Sequence, residues 1–106
     1  MDLSEILKAL ADPNRLRILN LLEGRTLCVC DLEEILDLNQ SNLSRHLAKL
    51  KQAGLVTASK KGLFMYYSRK PVDPPFGAVL EVLYAAVAAD PAWDSDRQAL
   101  ARRKGC

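Results

Sequence analysis

The stretch Cys30–Ala53, CDLEEILDLNQSNLSRHLAKLKQA, carries apolar residues at helical spacing on both sides of Asn39. Asparagine is a favoured N-cap residue, so Asn39 predicts the start of a second helix. About three residues, from Asp37 to Asn39, join the two helices, which predicts a helix-turn-helix over about residues 30–53. The apolar positions of the two helices are Leu32, Ile35, Leu36, Leu43, Leu47 and Leu50.

The second helix carries polar side chains on its first two turns, the part of a recognition helix that reaches base edges in the major groove of DNA. Glutamine and asparagine can pair with adenine and arginine with guanine, whereas serine is permissive. Lys49 lies further along the helix and is expected to contact the phosphate backbone. The residues predicted to contact DNA on the first two turns are Gln40, Ser41, Asn42, Ser44, Arg45 and His46.

His46 is the only histidine of the chain. The residues three and four positions after it, Lys49 and Leu50, do not supply a second metal ligand. A base or phosphate contact, or a partly packed side chain, therefore fits His46 better than a metal site.

Two β-prone runs follow the helix-turn-helix, at residues 55–59 and 63–68. Lys60, Lys61 and Gly62 between them predict a tight turn, in which Gly62 is free to adopt a positive φ. A hairpin in this position is a wing, here over about residues 55–69. Its basic tip, Lys60 and Lys61, is predicted to contact a flanking minor groove or phosphates, which supplies affinity rather than sequence choice.

The net charge of +2 hides a segregation of charge along the chain. Residues 40–70 contain seven basic side chains and no acidic one, whereas the rest carries eight basic and thirteen acidic side chains. A basic block on an acidic body is typical of a polyanion-binding face, although a solvated positive surface gives charge runs as well. The acid-free length, together with the predicted recognition helix, favours nucleic acid.

With 106 residues, the chain is predicted to form a single domain of mostly α structure with a small β-hairpin. Asp12 and Pro13 predict the start of a core helix, which follows a short amphipathic N-terminal helix. Two C-terminal helices are predicted over about residues 74–103, the first after the start signal Asp73-Pro74 and the second after Asp90-Pro91. The smooth apolar segment Ala85–Ala89 and the N-terminal helix are expected to form a homodimer interface, with an intramolecular core as the alternative. A helix-turn-helix reader typically needs two half-sites, which favours the dimer.

The longest strongly apolar region, Ala78–Ala89, is interrupted by Glu81 and is too short to span a bilayer. The N-terminus has neither a basic region nor an apolar signal-peptide core, so we expect a cytoplasmic protein without membrane contact. Cysteines stay mostly reduced in the cytosol. We therefore expect Cys28, Cys30 and Cys106 to be metal-binding, redox-active or incidental rather than a disulfide framework.

Three segments are informative together: residues 7–19 (LKALADPNRLRIL), 27–32 (LCVCDL) and 40–47 (QSNLSRHL), followed by the aromatic strand Met65-Tyr66-Tyr67. With them the chain resembles the ArsR/SmtB family of bacterial winged-helix repressors over about residues 5–70. The resemblance implies a homodimer that represses by binding an inverted repeat in double-stranded operator DNA. It also implies that the protein leaves the DNA when its ion binds.

The run from Cys28 to Leu32 resembles the inducer site of arsenite-responsive members of that family. Those members often carry a third cysteine three residues after the second, where this chain has Glu33. Cys106, from the same or the partner subunit, is one replacement for the missing ligand. A monomethylated trivalent arsenical, which needs only two thiolates, is the other reading. Trivalent arsenic or antimony is therefore the expected inducer, with no organic cofactor.

The chemistry of the two cysteines agrees with that expectation. Cys28 and Cys30 are one residue apart, so in extended backbone both side chains point to one side and one ion can bridge them. Thiolates are soft ligands and suit soft ions. Cys30 is expected to cap a helix in a capping box with Glu33, where the helix dipole lowers the pKa of a thiol. An ion there is expected to unwind the first turn of this helix and re-aim the recognition helix.

Other readings of the cysteine pair remain open. A cadmium or lead sensor needs more thiolates than one subunit shows. A thiol redox-sensing repressor would release DNA when the pair oxidises. An enzyme is not expected, because a thioredoxin-like strand–Cys–helix context and a nearby catalytic histidine or acid are missing from the sequence.

Overall fold

The computed structural model describes residues 2–103, and the predicted, mostly α, winged helix-turn-helix fold is confirmed. The helices are α1 Leu3–Leu10, α2 Pro13–Leu21, α3 Val29–Leu36, α4 Gln40–Gln52, α5 Phe76–Ala89 and α6 Asp94–Arg102. The strands are β1 Leu27–Cys28, β2 Val56–Lys61 and β3 Phe64–Arg69, and a short 3-10 helix spans Pro91–Trp93. Helices α3 and α4 form the helix-turn-helix, and β2 with β3 forms the wing.

Two helix starts follow directly from their capping residues. The Asp12 carboxylate accepts hydrogen bonds from the backbone N–H groups of Asn14 at 2.8 Å and Arg15 at 3.2 Å. The Asn39 side chain accepts from the N–H of Asn42 at 2.8 Å. Each cap pairs N–H groups that a helix leaves unpaired at its first turn, so both predicted starts are confirmed.

Helix α2 is the central element of the core, as its leucine-rich sequence predicts. Three apolar side chains near its C-terminal end, and that of the C-cap residue Leu22, are at most 1% exposed, and α2 contacts each of the other five α-helices of the described residues. Burial of one such side chain contributes roughly 1.5–3 kcal/mol. The four side chains are Ile18, Leu19, Leu21 and Leu22.

The sheet has three antiparallel strands in the order β1-β3-β2, one more than the predicted hairpin. In the added pairing, Leu27 lies opposite Tyr67 and Cys28 opposite Tyr66. A strand of two residues shows no alternation of apolar and polar side chains, so the sequence gives no signal for it. The cysteine segment is thereby joined by backbone hydrogen bonds to the wing.

The wing turn is one step further along the chain than predicted. Lys61 pairs with Phe64, so the turn residues are Gly62, with a φ of 62°, and Leu63. Positive φ costs glycine nothing, which fixes the turn at this position. Lys60 and Lys61 are therefore the last residues of β2 rather than turn residues.

The base of the wing is anchored to two helices through Arg69. Its Nε donates to the carbonyl oxygen of Leu19 at 2.8 Å, and its guanidinium carbon lies 3.9 Å from the centroid of the Tyr84 ring. Burial lowers the pKa of Arg69 and raises the pKa of Tyr84. A buried cation over an aromatic face is favourable, so these contacts hold the wing against α2 and α5.

The two C-terminal helices begin later than Asp73 and Asp90 predict. Helix α5 begins at Phe76. The Asp90 carboxylate accepts from the N–H of Ala92 at 3.0 Å, but it caps the short 3-10 helix, and α6 begins only at Asp94. A capping aspartate starts a turn without deciding whether that turn becomes 3-10 or α.

Two helices carry large apolar side chains that point away from the core. Homodimerisation through the N- and C-terminal helices remains a prediction that fits these faces. The side chains and their exposed fractions are Leu3 at 53% and Leu7 at 58% on α1, and Val79 at 56% and Val82 at 71% on α5.

None of the individual helices in residues 2–103 is long and apolar enough to cross a bilayer. Helix α5 and the segment Pro91–Arg102 reach that length and composition only as a pair bent by 81°.

Candidate metal centre and nucleic-acid interface

The cysteine pair lies where β1 ends and α3 begins. Cys28 is the last residue of β1 and is 1% exposed, whereas Cys30 is half-buried in the first turn of α3. The Sγ atoms of the two residues are bonded to each other as a disulfide, which differs from the expectation of reduced thiols. The turn from strand to helix brings the two Cα atoms to 5.4 Å, within the range that a disulfide requires.

The cap of α3 is not the predicted one. The N-cap residue is Cys28, and its side chain makes no capping hydrogen bond. The predicted capping box of Cys30 and Glu33 is therefore wrong. The strand pairing with β3 ends at Cys28, so the helix begins two residues earlier than the sequence pattern suggests, and a sulfur atom is a weak acceptor for N–H groups.

Asp31 is a third potential ligand, which sequence reasoning overlooked. Its carboxylate and the sulfur atoms of Cys28 and Cys30 all lie within 4.8 Å of one another. Asp31 is 8% exposed, and Arg103 Nε donates to its Oδ1 at 2.8 Å. This hydrogen bond raises the pKa of Arg103. The signal in the sequence is the position of an aspartate directly after the second cysteine.

Cys106, the predicted third thiolate, lies outside the described residues. Arg103, three positions before it, is held beside the cysteine pair through Asp31, and it also pairs with Glu34. The end of the described chain is therefore tied to α3.

Helix α4 presents its polar start to the surface. Leu43, Leu47 and Leu50 are at most 2% exposed and pack into the core, so the opposite side of the helix is open. On that side, Arg45 donates through Nη2 to the Asn42 side chain. The predicted DNA contacts that are exposed on α4 are Gln40, Ser41, Ser44, Arg45 and Lys49, and Asn42 is half-buried.

His46 is turned toward the start of α2. Its side chain is 15% exposed, with Nδ1 at 3.4 Å from Arg15 Nη1 and 4.0 Å from Asp12 Oδ1. The structure thus gives His46 the partly packed environment that the sequence left open. Its contact with DNA remains a prediction.

The wing adds exposed cations to the same interface. Lys60 and Lys61 are exposed at the end of β2, and Lys61 Nζ lies 5.5 Å from the centroid of the Tyr66 ring. No acidic side chain occurs between residues 40 and 70, so α4 and the wing form a basic pair of elements. A wing of this charge can follow phosphates beside the groove that α4 would enter.

Known proteins are similar to this chain in sequence and in fold. The arsR family of bacterial regulatory proteins matches residues 12–58. The chain is 40% identical over 90 residues to the arsenic resistance transcriptional regulator ArsR1 of Pseudomonas putida, covering 83% of this chain and 68% of that protein. It is 39% identical over 95 residues to the arsenical resistance operon repressor of Escherichia coli, covering 89% and 74%.

The solved structure of HlyU from Vibrio cholerae matches the fold with a TM-score of 0.68 and 36% identity, covering 78% of this chain and 88% of that chain. The family match over residues 12–58 runs from the cap of α2, through α3 and α4, into β2. With relatives aligned across more than four fifths of its length, the chain belongs to the ArsR family and acts as a DNA-binding transcriptional repressor rather than as an enzyme.

Proposed function

We propose that the chain is a cytoplasmic, homodimeric repressor that senses trivalent arsenic or antimony through Cys28 and Cys30 and releases its operator on binding. The observation that carries this proposal is the contact between the two sulfur atoms at the start of α3, with the Asp31 carboxylate within 4.8 Å. When reduced, the pair offers two soft thiolates to one soft ion. The arsenic-resistance names of the relatives support the same inducer class.

Coupling to DNA follows from where the pair lies. Cys28 pairs with Tyr66 of the wing and directly precedes α3. Leu32 and Leu36 of α3 share the core with Leu43 of α4. An ion that fixes both sulfur atoms therefore acts on the first turn of α3 and on the wing sheet, and we propose that this turn unwinds. Typical coupling energies between two ligands are ~1–3 kcal/mol, and operator DNA must weaken inducer binding by the same factor.

The operator is proposed to be an inverted repeat of double-stranded DNA, with one α4 in each major groove of a half-site. A homodimer supplies the two copies, and the exposed apolar faces of α1 and α5 are the proposed interface. Gln40, Ser44 and Arg45 are proposed to read bases, and Lys60 and Lys61 to contact phosphates.

The third ligand is proposed to be Cys106, from the same or the partner subunit. Asp31 is the competing donor, because its carboxylate already lies beside both sulfur atoms. The two donors differ in kind, since a third thiolate favours the softest ions and a carboxylate does not.

The test is release of a fluorescent operator, selected from random double-stranded DNA, by arsenite, methylarsenite, antimonite, cadmium and zinc. Wild type is compared with Cys28→Ser, Cys30→Ser and Cys106→Ser, all kept reduced by a phosphine. Release by arsenite and antimonite that both Cys28→Ser and Cys30→Ser abolish is the expected result. If none of the ions released the operator, the sensing proposal would be refuted, whereas the DNA-binding function would not be contradicted. A normal response of Cys106→Ser would show that the third thiolate is not needed.

The disulfide between Cys28 and Cys30 favours a second candidate, a repressor that senses thiol oxidation. In this case the oxidised pair would have the low operator affinity, with no ion involved. Operator release by diamide in the absence of arsenic, reversed by a phosphine, would support it. Release by arsenite under full reduction, with oxidised protein still bound to the operator, would exclude it.

A further inference from the structure

The tip of the wing carries the most exposed of the large apolar side chains in the described chain. Leu63 is 91% exposed, and its neighbour Phe64 is 50% exposed. A single exposed leucine is common on protein surfaces and needs no partner. Here, however, two adjacent apolar side chains end a hairpin whose second strand is preceded by the exposed residues Lys60 and Lys61. An apolar tip beside cations suits a polyanion that can also accept an apolar side chain.

The two lysines lie on opposite faces of the wing, because successive residues of a strand point to opposite sides. Lys61 pairs with Phe64 across the hairpin, whereas Lys60 pairs with Met65. Paired residues share a face, and the 5.5 Å between Lys61 Nζ and the centroid of the Tyr66 ring agrees with this assignment. One cation therefore flanks the tip on each side. This arrangement matches a groove that is bounded by two phosphate strands.

The tip is also narrow. Lys61 and Phe64 are the last paired residues, so only Gly62 and Leu63 form the turn. Gly62, with a φ of 62°, has no side chain, and the Leu63 side chain is therefore the one that the turn presents. Paired strands are about 4.8 Å apart, and the minor groove of B-DNA is about 6 Å wide. The turn can enter that groove while the strands stay outside it.

We propose that Leu63 enters the minor groove beside the major groove that α4 occupies and wedges between two base pairs, so that the repressor bends its operator. The inference rests on the DNA contacts proposed above for the wing. Leucine is one of the apolar side chains that minor-groove proteins insert between base steps, which kinks the duplex by about 20–90°. Lys60 and Lys61 hold the phosphates on either side of the wedge.

A wedge gives the wing a share in sequence choice that phosphate contacts lack. Pyrimidine–purine steps such as TA are easily unstacked, whereas A-tracts are stiff. An operator with a TA step at the position of Leu63 should therefore bind more tightly than one with an A-tract there. Leu63→Ser should lose this preference, because no base step is opened without the wedge.

Three exchanges at Leu63 separate a wedge from a charge contact. Leu63→Ser removes the apolar side chain, Leu63→Lys replaces it by a third cation, and Leu63→Met keeps an apolar side chain as the matched control. The backbone of Leu63 has no positive φ and the side chain is exposed, so none of the three exchanges should strain the fold. Thermal unfolding checks this for each variant.

The test measures the bend of the selected operator by energy transfer between dyes at its two ends, with saturating, reduced protein. In the same complexes, 2-aminopurine is scanned through the base pairs that flank each half-site and reports unstacking by its fluorescence. Wild type and Leu63→Met should bend the DNA and give one bright position beside each half-site. Leu63→Ser and Leu63→Lys should lose the bright positions and at least half of the bend.

The affinities should change less than the bend. The gain from burying a leucine side chain and the cost of unstacking a base step are of the same order. Leu63→Ser should therefore change operator affinity by less than about tenfold. Leu63→Lys should raise the slope of log affinity against log salt concentration by about 1, because it adds a phosphate contact, and still lose the bend.

The contrary outcomes are distinct. A straight operator with wild type, or an equal bend and equal 2-aminopurine signal with Leu63→Lys, would overturn the wedge and leave the proposed phosphate contacts intact. If Lys60→Ala and Lys61→Ala bound the operator with wild-type affinity and salt dependence, the wing contacts themselves would fail, and this inference with them. A lower mass of Leu63→Ser in sedimentation would make the tip a contact between copies of the chain, which also overturns the wedge.

Discussion

Arg17 on α2 and Asp96 on α6 are 79 residues apart and form two side-by-side hydrogen bonds, Nε to Oδ2 at 2.8 Å and Nη2 to Oδ1 at 3.0 Å. The same guanidinium donates to the carbonyl oxygen of Leu36 at 3.3 Å. The hydrogen bond to Asp96 raises the pKa of Arg17. One side chain therefore ties α6 to α2 and to the end of α3, next to the recognition helix.

Asp96→Asn should lower the free energy of unfolding by about 1.5–3 kcal/mol, because it weakens hydrogen bonds between charged, largely buried groups. Urea unfolding at pH 7 measures the change. Glu5→Gln is the matched control, since the Lys8–Glu5 pair at 3.6 Å is exposed on α1. The control should change stability by less than about 0.5 kcal/mol. An equal loss in both variants would contradict this role of the Arg17–Asp96 pair.

Gln40→Ala and Arg45→Ala should each lower affinity for the selected operator by about 1–3 kcal/mol and change binding to random DNA little, because base contacts carry the discrimination. Lys61→Ala should weaken binding to the operator and to random DNA alike. It should also reduce the slope of log affinity against log salt concentration by about 1, as expected for a lost phosphate contact. Fluorescence anisotropy at several salt concentrations measures the two DNA affinities and their salt dependence. Arg102→Ala, a charge removed from α6, is the control. Identical losses on operator and random DNA for Arg45→Ala would count against base reading.

His46→Ala should lower stability by about 1 kcal/mol, because the partly buried ring contacts Arg15 and lies near Asp12. It should lower operator affinity as well, since the ring helps to hold α4 against α2. Ser44→Ala, at an exposed position two residues earlier, should affect only DNA binding. Unfolding curves and anisotropy on the same protein samples separate the two effects. If His46→Ala were as stable as wild type, the packing role of the ring would be contradicted, and the predicted contact with DNA would be its one remaining role.

Val82→Asp and Leu7→Asp should shift the protein to monomers at micromolar concentration, because each places a charge in the proposed apolar interface. Sedimentation velocity measures the mass. Leu63→Asp is the control, since Leu63 is 91% exposed at the wing turn and belongs to neither α1 nor α5. If Val82→Asp protein remained dimeric, Val82 would lie outside the dimer interface, and the proposed interface would be contradicted.

The helix-turn-helix was predictable because its signals are local. Asn39 caps α4 and Leu43, Leu47 and Leu50 repeat at helical spacing, so each signal depends on neighbours within one or two turns. Gly62 likewise predicted the turn of the wing, although the turn residues are Gly62 and Leu63 rather than residues 60–62. The exposed polar start of α4 followed from the same periodicity.

The candidate site was only partly predictable. The spacing of Cys28 and Cys30 pointed to a shared ion, but the cap of α3 was assigned to the wrong cysteine and Asp31 was overlooked. The cap was misassigned because of β1, which has two residues and pairs with a strand about 40 positions later in the chain. A contact at that separation leaves no local pattern.

The sequence by itself determined the winged helix-turn-helix, the basic character of residues 40–70 and the pair of cysteines, because helix periodicity, caps, turns and charge are properties of neighbouring residues. Only the tertiary structure decided what surrounds the pair. Packing joins Cys28 to the wing through Tyr66, places the Asp31 carboxylate beside the sulfur atoms under Arg103, and puts Cys30 in the wall of a groove shared with α4. Tyr66 and Arg103 come from distant parts of the chain, and only the folded core brings them beside the cysteine segment.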